Sequence, residues 1–332
     1  MIDVTILFPD GTFSSTAVGP MEVFRHAGVL WNTLSGQPSA ARFRVTTASV
    51  DGRAVRCDGP LTIKPATSIS AVRAADLIFV PSTGESLEDA VERNAAVIPW
   101  LRRWHRRGAS IAAVCSGVSL VAATGLLDGK RATTHWGLAE GLRQRYPKIH
   151  WTPEYLVTED SGIYCGGGVN ASFDLSLFLV ERFCGHEVAV QTAKALLIDT
   201  PRTWQAGFAA VPLKTQHHDD AIRRAQEWMH ESFQQEISAD GLAERVAMSP
   251  RNFVRRFKAA TSETPLGYLQ KLRVSAAKRL LESDYRTVQE ICDAVGYQDL
   301  AFFREIFKRQ AGVSPQAYRR RFGLRRNGES GS

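Results

Sequence analysis

Apolar residues follow two regimes along this chain. Over the first 200 positions, short apolar runs alternate with amphipathic stretches. Residues 4–8, 43–48, 77–80 and 111–114 predict buried strands, and residues 19–30, 87–106, 117–125 and 169–184 predict helices. Such alternation predicts an α/β domain: a parallel sheet with helices on both faces, and ligands at the carboxyl ends of its strands. Residues 32–66, rich in Gly, Pro and Ser, read as surface strands and loops. Past residue 220 only helical spacing remains, which predicts a separate all-α domain.

That second region repeats itself. Leu242, Val246, Phe253, Phe257, Lys258, Pro265 and Tyr268 are matched by Ile291, Val295, Phe303, Phe307, Lys308, Pro315 and Tyr318. The offset is 49 residues at the start and 50 from the phenylalanines onward. One extra residue therefore lies in or near the second turn, where insertion costs least. Each copy predicts a helix-turn-helix, at about 238–261 and 287–311. In the first, Ser238 caps a helix with Leu242, Ala243 and Val246 inward. Ser249 caps the next, with Pro250 at its first position, where the missing N–H costs nothing. Phe253 and Phe257 then face inward, four residues apart, while Arg251, Asn252 and Arg255 project outward. A recognition helix presents such residues to the major groove; arginine can bond guanine bidentately and asparagine adenine.

In the second copy Thr287 opens a helix, Gly296 makes the turn, and Gln298 and Asp299 begin the next helix. Phe302 and Ile306 are expected to widen the apolar stripe around Phe303 and Phe307, leaving Ala301, Arg304 and Glu305 for the groove. Lys258, Lys308 and Arg309 suit phosphates, contacts that position without reading sequence. Residues 265–281 predict one long connector, with Leu266, Leu269, Leu272, Ala276 and Leu280 inward. It would hold the two recognition helices about one DNA turn apart, ~34 Å. A plain helical bundle needs no repeat at this spacing.

Charge sharpens the picture. The chain carries +7 overall, but residues 245–332 hold 18 Lys and Arg against 8 Asp and Glu, and the remainder 23 against 26. Basic excess confined to the repeated segment fits a polyanionic partner. With 332 residues, 44% apolar and 23% charged, the composition is that of a soluble globular protein. No apolar run is long enough to span a bilayer, and no signal-peptide pattern opens the chain. Cys57, Cys115, Cys165, Cys184 and Cys292 show no paired spacing, which suggests reduced thiols in a cytosol.

One predicted strand end carries chemistry. The run 111–114 is followed at once by Cys115-Ser116-Gly117 and a helix, placing a thiol on a sharp turn beside a helix N-terminus. That position is expected to lower its pKa. His135, twenty residues on, is a candidate base or orienting group, and Pro81-Ser82-Thr83-Gly84 ends its own strand nearby. A Cys–His pair is the minimum for nucleophilic catalysis. Three other features are read blandly. Gly166-Gly167-Gly168 lacks the lysine and spacing of a phosphate loop and reads as a tight turn. The basic run 102–107 closes an amphipathic helix, where it suits the macrodipole. His217-His218-Asp219-Asp220 reads as a linker entering a helix rather than a metal site, and no metal is expected.

The phrases "LAERVAMSPRNFVRRFKAATSETPLGYLQKLR", "AAKRLLES" and "VQEICDAVGYQDLAFFREIFKRQAGVSPQAYRRRF" resemble the DNA-binding domain of the AraC/XylS family of bacterial transcription regulators. In the first 200 residues, "GPMEVFRHAG", "DLIFVPSTG", "AVCSGVSLVAATGLLDGKRATTHW" and "ASFDLSLFLVERFCGHEVA" resemble the DJ-1/PfpI superfamily, within the class I glutamine-amidotransferase-like fold. Together they resemble GlxA-type regulators. The resemblance implies a flavodoxin-like parallel-sheet sandwich at 1–200, a linker at 201–220, a tandem helix-turn-helix domain at 221–322 and a disordered tail at 323–332.

By the same resemblance Cys115 falls on the elbow cysteine and His135 on its nearby histidine. The enzymes of the superfamily place a carboxylate four residues before the proline of the first helix; here that position is Thr16, and Glu22 lies two residues past Pro20. A ligand-sensing pocket at Thr16, Glu22, Ser82, Thr83, Gly84, Cys115, Ser116, His135 and Trp136 is therefore expected, without turnover and without a cofactor. The alternatives are a Cys115-dependent hydrolase, hydratase or lyase, and a redox- or electrophile-sensing thiol. The DNA contacts expected are Ser249, Arg251, Asn252, Arg255, Lys258, Gln298, Asp299, Ala301, Arg304 and Lys308. The implied partners are double-stranded promoter DNA, a small effector, a second copy of the chain and, for an activator, RNA polymerase, all in the cytoplasm.

Overall fold

The computed structural model describes residues 1–84, 87–199, 217 and 219–323. Two compact units divide the chain, residues 1–205 and 206–332. The first begins with β1 (Ile2–Leu7), α1 (Ser15–His26), α2 (Leu30–Leu34) and β2 (Phe43–Ser49), then the short β3 (Val55–Arg56), β4 (Thr62–Ile63) and β5 (Thr67–Ser68). It continues through β6 (Leu77–Val80), α3 (Leu87–Arg93), α4 (Val97–Arg106), β7 (Ser110–Val114), α5 (Val118–Ala123), β8 (Arg131–Ala132), α6 (Ala139–Arg145) and β9 (His150–Trp151). The hairpin β10 (Val157–Asp160) and β11 (Ile163–Gly166), then α7 (Ala171–Cys184) and α8 (His186–Ala195), complete it.

A seven-stranded sheet of order β10-β11-β7-β6-β1-β2-β5 forms the spine. Every pairing in it is parallel except β10 with β11. Alternation along the central strands divides the core in two. Leu77, Phe79, Ala112 and Val114 join one layer with Val23, Phe24, Leu175 and Leu179 of α1 and α7. Ile78, Val80, Ile111 and Ala113 join the other with Trp100, Leu101, Val118 and Val121 of α4 and α5. Burial on both faces explains why β6 and β7 read as unbroken apolar runs.

The expected elements shift in detail. The helix placed at 19–30 starts earlier, at Ser15, and ends at His26. The stretch 87–106 is two helices rather than one, separated at residues 94–96. The basic run at 102–107 does close α4.

The second unit contains α9 (Asp220–Ser232), α10 (Ala239–Arg245), α11 (Pro250–Thr261), α12 (Pro265–Ser283), α13 (Val288–Ala294), α14 (Leu300–Ala311) and α15 (Pro315–Phe322). It has two cores that share one helix. Tyr268, Leu269 and Leu272, from the first half of α12, pack with Phe253, Phe257, Leu242 and Met229. Val274, Ala277 and Leu281, from its second half, pack with Phe303, Phe307, Ile291 and Tyr318. Leu266, expected inward, is instead 51% exposed, because it lies off the helix face that buries Pro265, Tyr268, Leu269 and Leu272.

Capping fixes the helix starts. Ser238, Thr264 and Ser314 each accept a backbone N–H of the first turn, and Thr287 forms a capping box with Glu290. A cross-brace ties the two halves together. The Arg273 guanidinium donates to the carbonyls of Phe233 and Gln235, 2.8 Å each, and lies over the Tyr297 ring. A Cβ on Gly296 would stand 2.5 Å from the Gln234 carbonyl oxygen, and its φ is +86°. Only glycine allows that approach. The linker expected at 201–220 and the tail at 323–332 lie, apart from residues 217, 219, 220 and 323, outside the described residues, as does His218.

Candidate functional site

The elbow forms where β7 ends. Cys115 adopts a φ of +56°, left-handed for a non-glycine residue, and starts a 3-10 turn, Cys115–Gly117, that leads into α5. Gly117 lets the turn press against the end of β6, since a Cβ there would lie 2.1 Å from the Pro81 carbonyl oxygen. The Cys115 carbonyl accepts from the Thr134 hydroxyl at 2.9 Å. Ser116 Oγ donates to the Thr83 carbonyl at 2.5 Å, accepts from the Thr83 N–H at 2.9 Å and sits 2.8 Å from Ser82 Oγ. Ser82, Thr83 and Ser116 are therefore brought together, buried, at the carboxyl ends of β6 and β7. Thr83 Oγ1 alone among them has no hydrogen-bond partner.

Thr16 joins this group. Its hydroxyl donates to the Phe13 carbonyl at 2.6 Å and accepts the Ser82 N–H at 3.0 Å. The Thr16 hydroxyl is thus committed to backbone groups, at the position where the resemblance expects a carboxylate in the superfamily's enzymes. Glu22 is exposed on α1. Burial pushes the Cys115 thiol up, and the hydrogen bonds from the Ser82 side chain and the Ser116 backbone offset that only in part. The shift runs opposite to the expected lowering: with Cys115 8% exposed, desolvation outweighs those hydrogen bonds.

His135 caps the 3-10 turn Trp136–Leu138, and its Nδ1 accepts the Gly137 N–H at 3.1 Å. Its proton therefore sits on Nε2, and burial holds its pKa below the usual histidine value. The ring tilts against Trp136, with centroids 5.2 Å apart. Burial thus holds the thiol above its usual pKa and the imidazole below its own.

A cleft of about 930 Å³ opens beside the strand ends. Asp10, Arg56, Asp58, Gly84, Glu92 and Arg93 are among its walls. Of the residues expected to form a pocket, Gly84 lines it and the other eight do not. Among the described residues no His, Cys, Asp and Glu group could hold a metal. His217 instead pairs with Gln226 at 2.7 Å.

In the helical unit, Arg251, Arg255 and Lys258 on α11 are exposed and Asn252 is half-buried. Arg255 donates to Asn252 Oδ1 at 2.9 Å, presenting the two as a pair. Ser249 holds the cap position with its hydroxyl unused by the helix. Gln298, Ala301, Arg304 and Lys308 are exposed at α14. Asp299 is committed to its own helix, accepting from Ala301 N at 2.7 Å and Phe302 N at 3.1 Å. Phe302 does not widen the inner stripe as expected. It is 46% exposed, with only its ring edge near Tyr297.

Sequence reasoning missed two positioning residues. Arg256 turns away from the outer face and grips Asp219 bidentately at 2.8 and 2.9 Å, tying α11 to the cap of α9. Arg273 makes the cross-brace. Neither carries a motif signal, because their partners lie about forty residues away.

An α/β sheet unit with a strand-end elbow, joined to a tandem helix-turn-helix, defines a two-part architecture, and comparison with known proteins bears it out. Residues 3–182 match the DJ-1/PfpI family and residues 242–321 a helix-turn-helix domain. The chain belongs to the DJ-1/PfpI family and carries an AraC-type helix-turn-helix domain. It is 26% identical to the HTH-type transcriptional regulator CdhR of Pseudomonas aeruginosa, covering 82% of this chain and 80% of that one. It is 28% identical to the HTH-type transcriptional regulator GlxA of Rhizobium meliloti, covering 88% and 89%. Similarity to isonitrile hydratase of Pseudomonas putida, 31% identical, spans only 39% of this chain and 54% of the enzyme. The Drosophila melanogaster DJ-1beta structure shares the fold over 60% of this chain and 98% of its own, with TM-score 0.50 and 22% identity.

Proposed function

We propose that this chain is a cytoplasmic transcriptional regulator that binds promoter DNA through α11 and α14 and is switched by a small metabolite at its DJ-1/PfpI-like unit. The observation that carries it is the repeated outward face. Two helices, each buried through a Phe pair four residues apart, expose side chains suited to base edges and a lysine suited to phosphate. Both regulators named above match over four fifths or more of the chain, which supports regulation as the task of the whole molecule.

The effector enters at the strand ends, over the Ser82–Ser116 network or in the adjoining charged cleft. It acts only to the extent that it binds one state of the unit better. The chain works as a homodimer through the DJ-1/PfpI-like unit and as an activator that engages RNA polymerase. Arg251→Ala and Arg304→Ala should each weaken binding to a genuine operator by ~1–3 kcal/mol, or about 5- to 150-fold. Gel shifts with both variants unimpaired would reject the assignment of these faces to the groove. Cys115→Ala should change the effector response and leave operator affinity intact.

A second reading, a Cys115-dependent hydratase or amidase, rests on the resemblance to isonitrile hydratase. The neutral thiol, the cap role of His135 and Thr16 in place of a carboxylate all weigh against it. Turnover of isonitrile, amide or glyoxal substrates by the purified chain, lost in Cys115→Ala, would establish it.

A further inference from the structure

Four arginines crowd the end of α4. The helix buries Val97, Trp100, Leu101 and Trp104 against the sheet, which turns Arg102, Arg103 and Arg106 outward together, and Arg107 closes it at the C-cap. All four are exposed. The Arg107 guanidinium lies over the Trp104 ring, 5.4 Å from its centroid. Arg102, Arg103 and Arg106 have no acidic partner among the described residues.

Nothing nearby balances this charge. Arg102 and Arg106 stand four apart and Arg103 and Arg106 three apart, spacings at which like charges repel by about 0.2–0.5 kcal/mol a pair. The helix macrodipole supplies about half a negative charge at this end, too little for four cations. A Cβ on Gly162 would stand 4.0 Å from the His105 ring, which sets the turn between β10 and β11 beside the helix end. Asp160 on that turn is already engaged: it accepts the Arg131 N–H at 3.1 Å and the Ser161 hydroxyl at 2.8 Å. Residues 1–244 carry 26 acidic against 23 basic residues, so the concentration of arginine is local.

Its place in the fold separates it from the effector site. β7 begins at Ser110, beside the arginines, and runs ~16 Å to the Cys115 elbow at its other end. Arginine's planar fork matches phosphate oxygens in pairs, and three forks along one helix face suit a repeated anion better than a single one. Such an anion is at hand. The helical unit of the same chain brings this unit to duplex DNA, and tethering raises the local concentration of that duplex to the order of mM.

We propose that the end of α4 is a second, sequence-independent DNA contact, in which Arg102, Arg103 and Arg106 bind phosphates of the duplex flanking the operator. The inference rests on the DNA-binding reading above and goes beyond it, because it gives the DJ-1/PfpI-like unit a nucleic-acid surface of its own.

The test uses the full-length chain and an operator recovered by selection from a random duplex library. That operator is compared at minimal length and with about 20 flanking base pairs, two helical turns, on each side. The wild type should bind the longer duplex more tightly, whatever the flanking sequence. Three phosphate contacts add about 2.7 to the slope of log K against log salt for each chain bound, so the gain should shrink about 40-fold from roughly 50 to 200 mM salt. The triple variant Arg102→Gln, Arg103→Gln, Arg106→Gln should lose both the gain and the added slope, and lysine at the same three positions should keep them. The glutamine variant should melt with the wild type and bind the minimal operator equally, which shows that it is folded. Flanks that add nothing, or a gain that the glutamine variant retains, would overturn the inference and leave operator binding standing. Inert flanks, with the wild type but not the glutamine variant held by phosphatidylglycerol vesicles, would move the patch to a lipid surface and equally overturn it. A wild type that selects no operator would overturn the functional reading itself.

Discussion

The left-handed backbone at Cys115 can be weighed by exchanging its side chain. At an ordinary site glycine is less stable than alanine by about 0.5–1 kcal/mol, because it gives up more freedom on folding. At φ +56° the order should invert. Alanine keeps the clash between Cβ and the following carbonyl, worth roughly 1–2 kcal/mol in the left-handed region, and glycine removes it. Both lose the buried thiol, about 1 kcal/mol for a group of that size, and with it the hydrogen bond to Ser82. Cys115→Ala should therefore be destabilised by ~1–1.5 kcal/mol, and Cys115→Gly should lie ~1 kcal/mol above it, close to the wild type. In a unit of this size that difference is about 2–4 °C in Tm. Calorimetry of the full chain can read it from the transition that Phe253→Ala leaves unmoved. A Cys115→Gly protein that melts below Cys115→Ala would refute the strain. Inversion would show that the backbone at this corner stores strain, which the packing of the buried thiol offsets only in part.

Two further outcomes follow from the geometry. In Gly117→Ala the new Cβ would lie 2.1 Å from the Pro81 carbonyl oxygen, so elbow and strand end must part by about 1 Å to reach ordinary contact and Tm should fall more than in Cys115→Ala; a melt equal to the wild type would contradict the packing. Arg256 beside Asp219 holds that carboxyl below its ordinary 3.8. A lowered carboxylate contributes stability in full above pH 3.8 and loses it as pH falls through and below that value. Melting of the helical unit between pH 6 and 3 should fall more steeply in the wild type than in Asp219→Asn, and parallel slopes would remove the pair from the account.

The repeat was legible because each copy must bury the same aromatic pair at helical spacing, and the caps Ser238, Thr287 and Asp299 sit at their starts. The central strands were legible because both faces of β6 and β7 are buried. The edge strand β10 has a mixed burial pattern that hides it, and its buried partner β11 is only four residues long. The elbow was found from Cys115-Ser116-Gly117, yet its electrostatics were read backwards, since burial depends on what the fold packs over a thiol and not on its neighbours in sequence. Leu266 and Phe302 went wrong for a related reason. Apolar identity predicts an inward position, and both stand on outward turns. Arg256 and Arg273 could not have been found, because the chain places their partners far away in sequence.

The helix shared by both cores, reinforced by Arg273 and Gly296, gives the tandem module the character of a calliper rather than a hinge. A single inserted base pair displaces one half-site by ~3.4 Å and turns it by roughly 35° about the duplex axis. A rigid gauge has no slack to absorb that error. Its genomic targets should then share one invariant gap, whatever else differs among them.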